Sequence, residues 1–189
     1  VPGELEYYGR GVHYCATCDG AFYREKKLVV IGGGNSAVQE AIYLTRFTTH
    51  IDLLVRSEVK ASEILQRELE KFVSDGKITV HLNTTTDEII ASDSKSVDKV
   101  NATKAGEKIT FECDGVFVFV GLLPNTQFLS GSGVKLDELG FIKADSGLQT
   151  NVRGIFVSGD VRSGSTMQIA SAVGEGATVA LKMREYLEG

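Results

Sequence analysis

Lys27-Leu28-Val29-Val30-Ile31-Gly32-Gly33-Gly34-Asn35-Ser36-Ala37 is the stretch on which the fold turns. Its first five residues are apolar and largely β-branched, the composition of a strand buried on both faces of a parallel sheet. The glycines end that strand. A helix is predicted from Ser36 to about Phe47, with Ala37, Ala41, Leu44 and Thr45 at helical spacing. Strand, Gly32-x-Gly34-x-x-Ala37 and helix, in that order, give a weak glycine pattern the context it needs. Gly32 permits the tight turn, Gly34 lets a pyrophosphate approach the backbone, and Ala37 lets the helix lie close on the strand. The helix start, Asn35 and Ser36, then offers free N–H groups and the positive end of a helix dipole to phosphates. An ordinary glycine-rich turn is the plainer alternative, and the flanking elements favour a dinucleotide site.

Working outward, a second strand is predicted over 51–55. The position that sorts dinucleotides falls ~20 residues past the glycines, where an NAD site places an acid against the ribose hydroxyl. Here the chain reads Arg56-Ser57-Glu58-Val59-Lys60. Arg56 offers a planar cation to a 2′-phosphate, and Lys60 adds a second charge. Glu58 argues the other way, because it repels a phosphate and suits a hydroxyl. NADPH is therefore expected, with NADH open.

A charged amphipathic helix is predicted over 62–73, with Ser62 as N-cap, an apolar stripe of Ile64, Leu65, Leu69 and Phe72, and a Glu63–Arg67 pair on its wet face. The chain then turns to strands at 78–82, 87–91, 97–103 and 108–113, with a hairpin turn at Ala105-Gly106-Glu107. Val116 to Val120 reads as a fully buried strand. Beyond it come short strands near Phe141 and at 155–157, then a helix from about Met167 to Leu187. The expected fold is α/β: a Rossmann-like, three-layer nucleotide-binding domain over 1–120, its βαβ unit carrying a β-rich insertion, and a partial domain over 121–189.

Composition bounds the function. The 189 residues carry 20 Lys+Arg against 25 Asp+Glu, a net charge of −5 that excludes a generic basic nucleic-acid binder. No apolar run approaches the ~20 residues of a membrane span. Three cysteines argue against a disulfide framework. Two of them form Cys15-Ala16-Thr17-Cys18-Asp19, a spacing that closes a small disulfide ring and points to redox chemistry in a reducing, cytoplasmic setting. Asp19, directly after the second cysteine, is a candidate proton donor or acceptor. A zinc site would need two more ligands; Cys113, His13, His50 and His81 are available but form no second paired motif. Cys113 alone reads as a buried small hydrophobe. Further on, Ser158-Gly159-Asp160-Val161 ends an apolar run and precedes a helix; Asp160 suits a ligand hydroxyl or a local turn equally.

Taken together, Gly11-Val12-His13-Tyr14-Cys15-Ala16-Thr17-Cys18-Asp19-Gly20, Gly32-Gly33-Gly34-Asn35-Ser36-Ala37, Val120-Gly121-Leu122-Leu123-Pro124-Asn125, and Gly159-Asp160-Val161 with Gln168-Ile169-Ala170 closely resemble the low-molecular-weight thioredoxin reductase family. The resemblance implies a two-domain, homodimeric flavoprotein in which NADPH reduces FAD, FAD reduces a disulfide, and the dithiol reduces thioredoxin or a similar small protein. It implies that Cys15 and Cys18 are the redox pair, with Cys18 facing the flavin, and that Asp19 is the acid/base. Gly32, Gly34, Asn35, Ser36, Arg56 and Lys60 are then the nicotinamide-dinucleotide positions. Gly121 is a further cofactor position, and Gly159, Asp160, Gln168, Ile169 and Ala170 are the positions on the flavin side. The family's first glycine-rich strand–turn–helix is absent, so the chain resembles the pyridine-nucleotide domain plus the tail of the FAD domain. The family's His-Arg-Arg run reads Val55-Arg56-Ser57, and an Arg common before the Gln reads Met167. Two other readings share these residues: the flavoprotein reductase of a peroxide-scavenging system, and a non-catalytic dinucleotide-binding module that senses redox state.

Overall fold

The computed structural model describes residues 1–93 and 95–189, which divide into two units, Val1–Gly121 and Leu122–Gly189. In the first unit, strand β2 (Lys27–Ile31) is the centre of a five-stranded parallel sheet. The other strands are β1 (Val12–His13), β3 (His50–Leu54), β4 (Ile78–His81) and β8 (Gly115–Val118), in the order β1-β8-β2-β3-β4. Alternate residues of β2 enter different cores, as the pleat requires. Leu28 and Val30 join Leu53 and Phe117 against Val38, Ala41 and Leu44 of helix α2 (Asn35–Leu44) and Leu69 of α3 (Glu63–Ser74). Val29 and Ile31 face the other way, with Leu54, Val116 and Val118, onto Ile89, Val100, Ala102 and Phe111. Those last four residues belong to a three-stranded antiparallel sheet, β5 (Thr84–Ile90), β6 (Lys99–Lys104) and β7 (Glu107–Glu112). The expected three-layer α/β fold is present, and the β-rich insertion supplies its third layer.

The β6–β7 turn is built on Ala105 and Gly106, at φ 49° and 90°, the left-handed pair a two-residue hairpin needs. Several boundaries differ from the expectations, each for a local reason. The expected 87–91 strand begins at Thr84, through a threonine run with no apolar alternation and a register shift between Thr86 and Glu88. The strand expected over Val116 to Val120 stops at Val118. Phe119 N–H still reaches Ile31 O, but β2 ends there, no partner remains, and Val120 is 67% exposed. Helix α2 ends at Leu44 rather than Phe47, because Arg46 and Phe47 bond back only three residues, to Tyr43 and Leu44. In α3, Ile64 turns to solvent and only Leu69 of the expected stripe is buried, with Leu65 and Phe72 partly covered. Ser62 is at the N-cap, but its hydroxyl makes no capping bond. A short helix, α1 (Ala16–Asp19), and a 3₁₀ turn, Gly20–Tyr23, were not expected.

In the second unit, the strands expected near Phe141 and 155–157 are only isolated bridges, Leu136 and Arg162 to Ile142 and Gln149 to Phe156. Phe141, Ile142, Leu148 and Val157 are its buried apolar residues. The final helix, α4, runs Ile169–Glu188, starting two residues later than expected because Met167 is at φ 54°, outside helical space. No α4 residue is buried. Among the described residues no helix is long and apolar enough to cross a membrane.

Two substitutions test this packing. Leu53 is fully buried between β2, α2 and α3, so Leu53→Ala is expected to cost about 2–5 kcal/mol in urea unfolding. At Gly32 (φ 140°) an added Cβ would lie 2.4 Å from the Phe119 carbonyl oxygen, whereas at Gly34 it meets nothing within 4 Å. Gly32→Ala should therefore lower stability by about 2 kcal/mol or more, and Gly34→Ala should leave the unfolding midpoint unchanged.

Candidate functional site

The β2–α2 turn forms one wall of a cavity of about 500 Å³. Of the residues singled out from the sequence, it brings together Gly32, Gly34, Asn35, Ser36, Arg56, Lys60 and Gly121. Gly34 is the N-cap of α2 and supplies no side-chain cap, so the first-turn N–H groups of the helix are open to a ligand. Gly34 leaves clear space where a side chain would intrude. Among the described residues, the side chains of Arg56, Glu58 and Lys60 form no hydrogen bond or ion pair, so two cations and one carboxylate face the cavity uncommitted. Asn35 differs. Its Oδ1 accepts the Ser62 N–H at 2.8 Å, tying the start of α2 to the start of α3.

Sequence reasoning gave no binding role to Gly33, Ser57, Thr84, Thr85, Thr86 and Phe119, which also line the cavity. Gly33 is needed sterically: an added Cβ would lie 2.6 Å from Val55 Cγ1, and Gly33 O accepts the Lys60 N–H at 2.7 Å. That contact fastens the 56–60 loop beside the glycine turn. The pattern's freely variable position is thus the one that seats the charge-bearing loop.

The second cluster surrounds the cysteines. Cys15 and Cys18 are joined as a disulfide, with Cα atoms 5.3 Å apart. Cys15 is the N-cap of α1, and its Sγ accepts the Cys18 N–H at 3.1 Å, a donor that would favour a thiolate there on reduction. Asp19 ends α1, and its Oδ2 lies 3.1 Å from His13 Nδ1. The other ring nitrogen, Nε2, lies 2.7 Å from Tyr23 Oη. His13 also stacks on Phe117, at 5.2 Å between ring centroids. Burial, then the charge of Asp19, pushes the Tyr23 hydroxyl up to about 12. Gly115 makes room for that ring, since a Cβ there would lie 2.4 Å from Tyr23 Cε1. Glu40 on α2 is raised by its burial, against the backbone hydrogen bond it accepts from Ala16. Cys113 is free and buried, and burial pushes its thiol up to about 12. His50 and His81 both flank Asp52 Oδ1, at 3.7 and 2.6 Å. Among the described residues, no group of three or more His, Cys, Asp or Glu is placed to hold a metal ion.

The remaining candidates lie in the second unit. Asp160 is exposed, and Gln168, Ile169 and Ala170 are exposed at the start of α4, with Gln168 as a cap whose side chain makes no capping bond. Gly159 is buried, and its N–H donates to Glu175 Oε2 at 2.9 Å. Glu175 also accepts a two-pronged interaction from Arg162, which holds its carboxyl down to about 2. Neither Arg162 nor Glu175 was picked out from the sequence, where they stand thirteen residues apart with no motif to join them.

The family described as pyridine nucleotide-disulphide oxidoreductase matches residues 1–176. The thioredoxin reductase of Bacillus subtilis is 41% identical across 100% of this chain, which spans 59% of that relative. That of Listeria innocua is 42% identical over 98% of this chain, which spans 58% of its length. Among solved structures, thioredoxin reductase from Streptococcus pyogenes superimposes with a TM-score of 0.88 at 38% identity, covering 100% of this chain and 61% of that one. With a family match that runs from the cysteine pair through the glycine turn and into α4, the chain belongs to the pyridine nucleotide-disulphide oxidoreductase family.

Proposed function

We propose that this chain is the pyridine-nucleotide domain, residues 1–120, together with a segment of the FAD domain, residues 121–189, of a thioredoxin-disulfide reductase. The observation that carries this reading is the presence, in one unit, of an open glycine cradle with uncommitted cations and a Cys15–Cys18 disulfide followed by Asp19. The residues fit a nicotinamide dinucleotide. Gly32 and Gly34 let the pyrophosphate close on the turn, the first N–H groups of α2 receive it, Ser36 lines the approach, and Arg56 and Lys60 take a 2′-phosphate. Glu58, in the same wall, suits an unphosphorylated ribose and keeps NADH open as a second donor. For a flavin, Asp160 and the uncapped start of α4 at Gln168, Ile169 and Ala170 supply hydroxyl and ring-edge contacts, and Gly121 borders the nucleotide cavity. The Arg162–Glu175 pair fixes the Gly159 turn from which Asp160 projects. Together the two groups supply a hydride equivalent that ends as an electron pair on a disulfide.

The protein's own residues do the rest. Cys15 and Cys18 accept the electron pair as their bond breaks, and the dithiol passes it by exchange to a protein disulfide, that of thioredoxin or a similar small partner. Asp19 manages the proton. The intact protein is read as a homodimer of a reducing, cytoplasmic compartment, the setting in which an exchange-active pair of this kind works.

Cys15→Ser and Cys18→Ser are each expected to abolish net reduction of oxidised thioredoxin by the reduced chain, the remaining thiol stopping at a mixed disulfide, while leaving calorimetric NADPH binding intact. Release of reduced thioredoxin by either variant would refute the assignment of the pair. Arg56→Ala is expected to weaken NADPH by about tenfold and NADH by much less, since one charge-assisted phosphate contact is worth about 1.5–3 kcal/mol. Equal losses for the two nucleotides would mean that Arg56 does not read the 2′-phosphate.

A further inference from the structure

His13 and Tyr23 have no part in the reading so far, yet they are tied to its acid/base. Asp19 Oδ2 lies in ion-pair contact with His13 Nδ1 at 3.1 Å, and His13 Nε2 is hydrogen-bonded to Tyr23 Oη at 2.7 Å, so the three groups stand in succession. Asp19 is about one-third exposed, His13 is mostly covered, and Tyr23 is buried. The succession therefore runs from the surface beside Cys18 into the core. We propose that His13, with its tautomer set by Tyr23, is a positioning residue that stores and resupplies the proton Asp19 delivers to the Cys15–Cys18 pair. The proposal rests on Asp19 being the acid of that pair.

The hydrogen-bond inventory supports it. With its ionisation pushed far above neutrality, Tyr23 is a phenol that donates to Nε2 of a neutral imidazole. Nε2 is then the bare nitrogen, so Nδ1, 3.1 Å from Asp19 Oδ2, carries the hydrogen. If the ring takes a second proton, Nε2–H donates instead to the lone pair of the same hydroxyl, and the Asp19 contact becomes an ion pair. Both protonation states are satisfied without moving a ring, because only the hydroxyl hydrogen rotates. Phe117 holds the imidazole plane from β8, and the absent side chain of Gly115 seats the tyrosine. The groups facing the imidazole are Asp19 from α1 and Tyr23 from the 3₁₀ turn; β8 presents only an aromatic ring, and Cys113 and Asp114 act on Tyr23 from behind.

The step balances with a small dithiol as reductant. Its thiolate, having lost a proton to solvent, attacks one sulfur of the pair; the Cys15–Cys18 bond breaks and a mixed disulfide forms. The displaced protein sulfur leaves as a thiolate. The Asp19 carboxylate takes the Nδ1 proton of the imidazolium as it passes a proton to that sulfur, and solvent refills the imidazole. The reagent's second thiol then closes its own disulfide, freeing the other protein sulfur, which is protonated in turn. The reagent is oxidised and the pair reduced by two electrons.

The test is the rate of reduction of Cys15–Cys18 by dithiothreitol in the purified chain, with each variant expressed as a ratio to the parent so that the reagent's own ionisation cancels. Asp19→Asn is expected to slow reduction by about a hundredfold. His13→Asn keeps a donor at the Nδ1 position but cannot ionise. It should be about tenfold slower than the parent at the acid end of the profile and converge on it at the alkaline end. Tyr23→Phe, which keeps the ring and drops the hydroxyl, should be slow by about threefold in the same direction. The double variant His13→Asn with Asp19→Asn should be no slower than Asp19→Asn alone. Additive losses, or His13→Asn and Tyr23→Phe profiles that superimpose on the parent at every pH, would overturn the relay. If His13→Asn does not fold, the Tyr23→Phe profile decides alone. A slow Asp19→Asn with normal His13 and Tyr23 variants removes only the relay, whereas a fully active Asp19→Asn removes the role of Asp19 and the relay with it.

Discussion

The closure of the β2–α2 turn is the constraint from which the rest of the first unit follows. With no side chain at Gly32, the Phe119 carbonyl and Ala37 Cβ close over the turn, and α2 settles on the sheet with Ala37 and Val38 fully buried. That seating fixes where the helix begins and so where its unpaired N–H groups point. The same crowding makes Gly33 the seat of the 56–60 loop. The charged residues are held beside the glycines by one steric solution rather than by separate devices.

The Cys15–Cys18 disulfide is secured differently. Helix α1 is only four residues long and contributes little stability by itself. It is held from outside: by the Glu40–Ala16 contact from α2, by Gly20 against Leu44 and Phe47, and by the Asp19–His13–Tyr23 chain anchored on Phe117. A short segment carrying reactive groups is thereby bolted to two rigid elements, the parallel sheet and its first covering helix.

Much of this was legible in the sequence, and the reasons for the gaps are specific. The central strand, the glycine turn and the hairpin at Ala105-Gly106 announce themselves through composition and turn chemistry. The pocket residues Arg56 and Lys60 were legible because their distance from the glycines is set by the length of one βαβ unit. The start of β5 was not, since a run of threonines carries no alternation and its partner is defined only by the folded sheet. Ile64 misled because an amphipathic stripe on a short helix does not say how wide the covered face will be. The His13–Tyr23 link was invisible for another reason: the two residues are ten apart, and the chain between them folds into a helix and a 3₁₀ turn too short to show periodicity. Arg162 and Glu175 pair across a loop in the same way, and their opposite charges were no clue among many others.

Cys113 has a practical bearing on all of this. Its thiol is buried, and its ionisation is pushed up to about 12, so in the folded protein it is a spectator to alkylating reagents. Thiol titration of the native, reduced chain therefore reads Cys15 and Cys18 without background. The third equivalent surfaces only when the β7–β8 junction opens, which gives the molecule an internal gauge that reports chemistry and unfolding on separate counts.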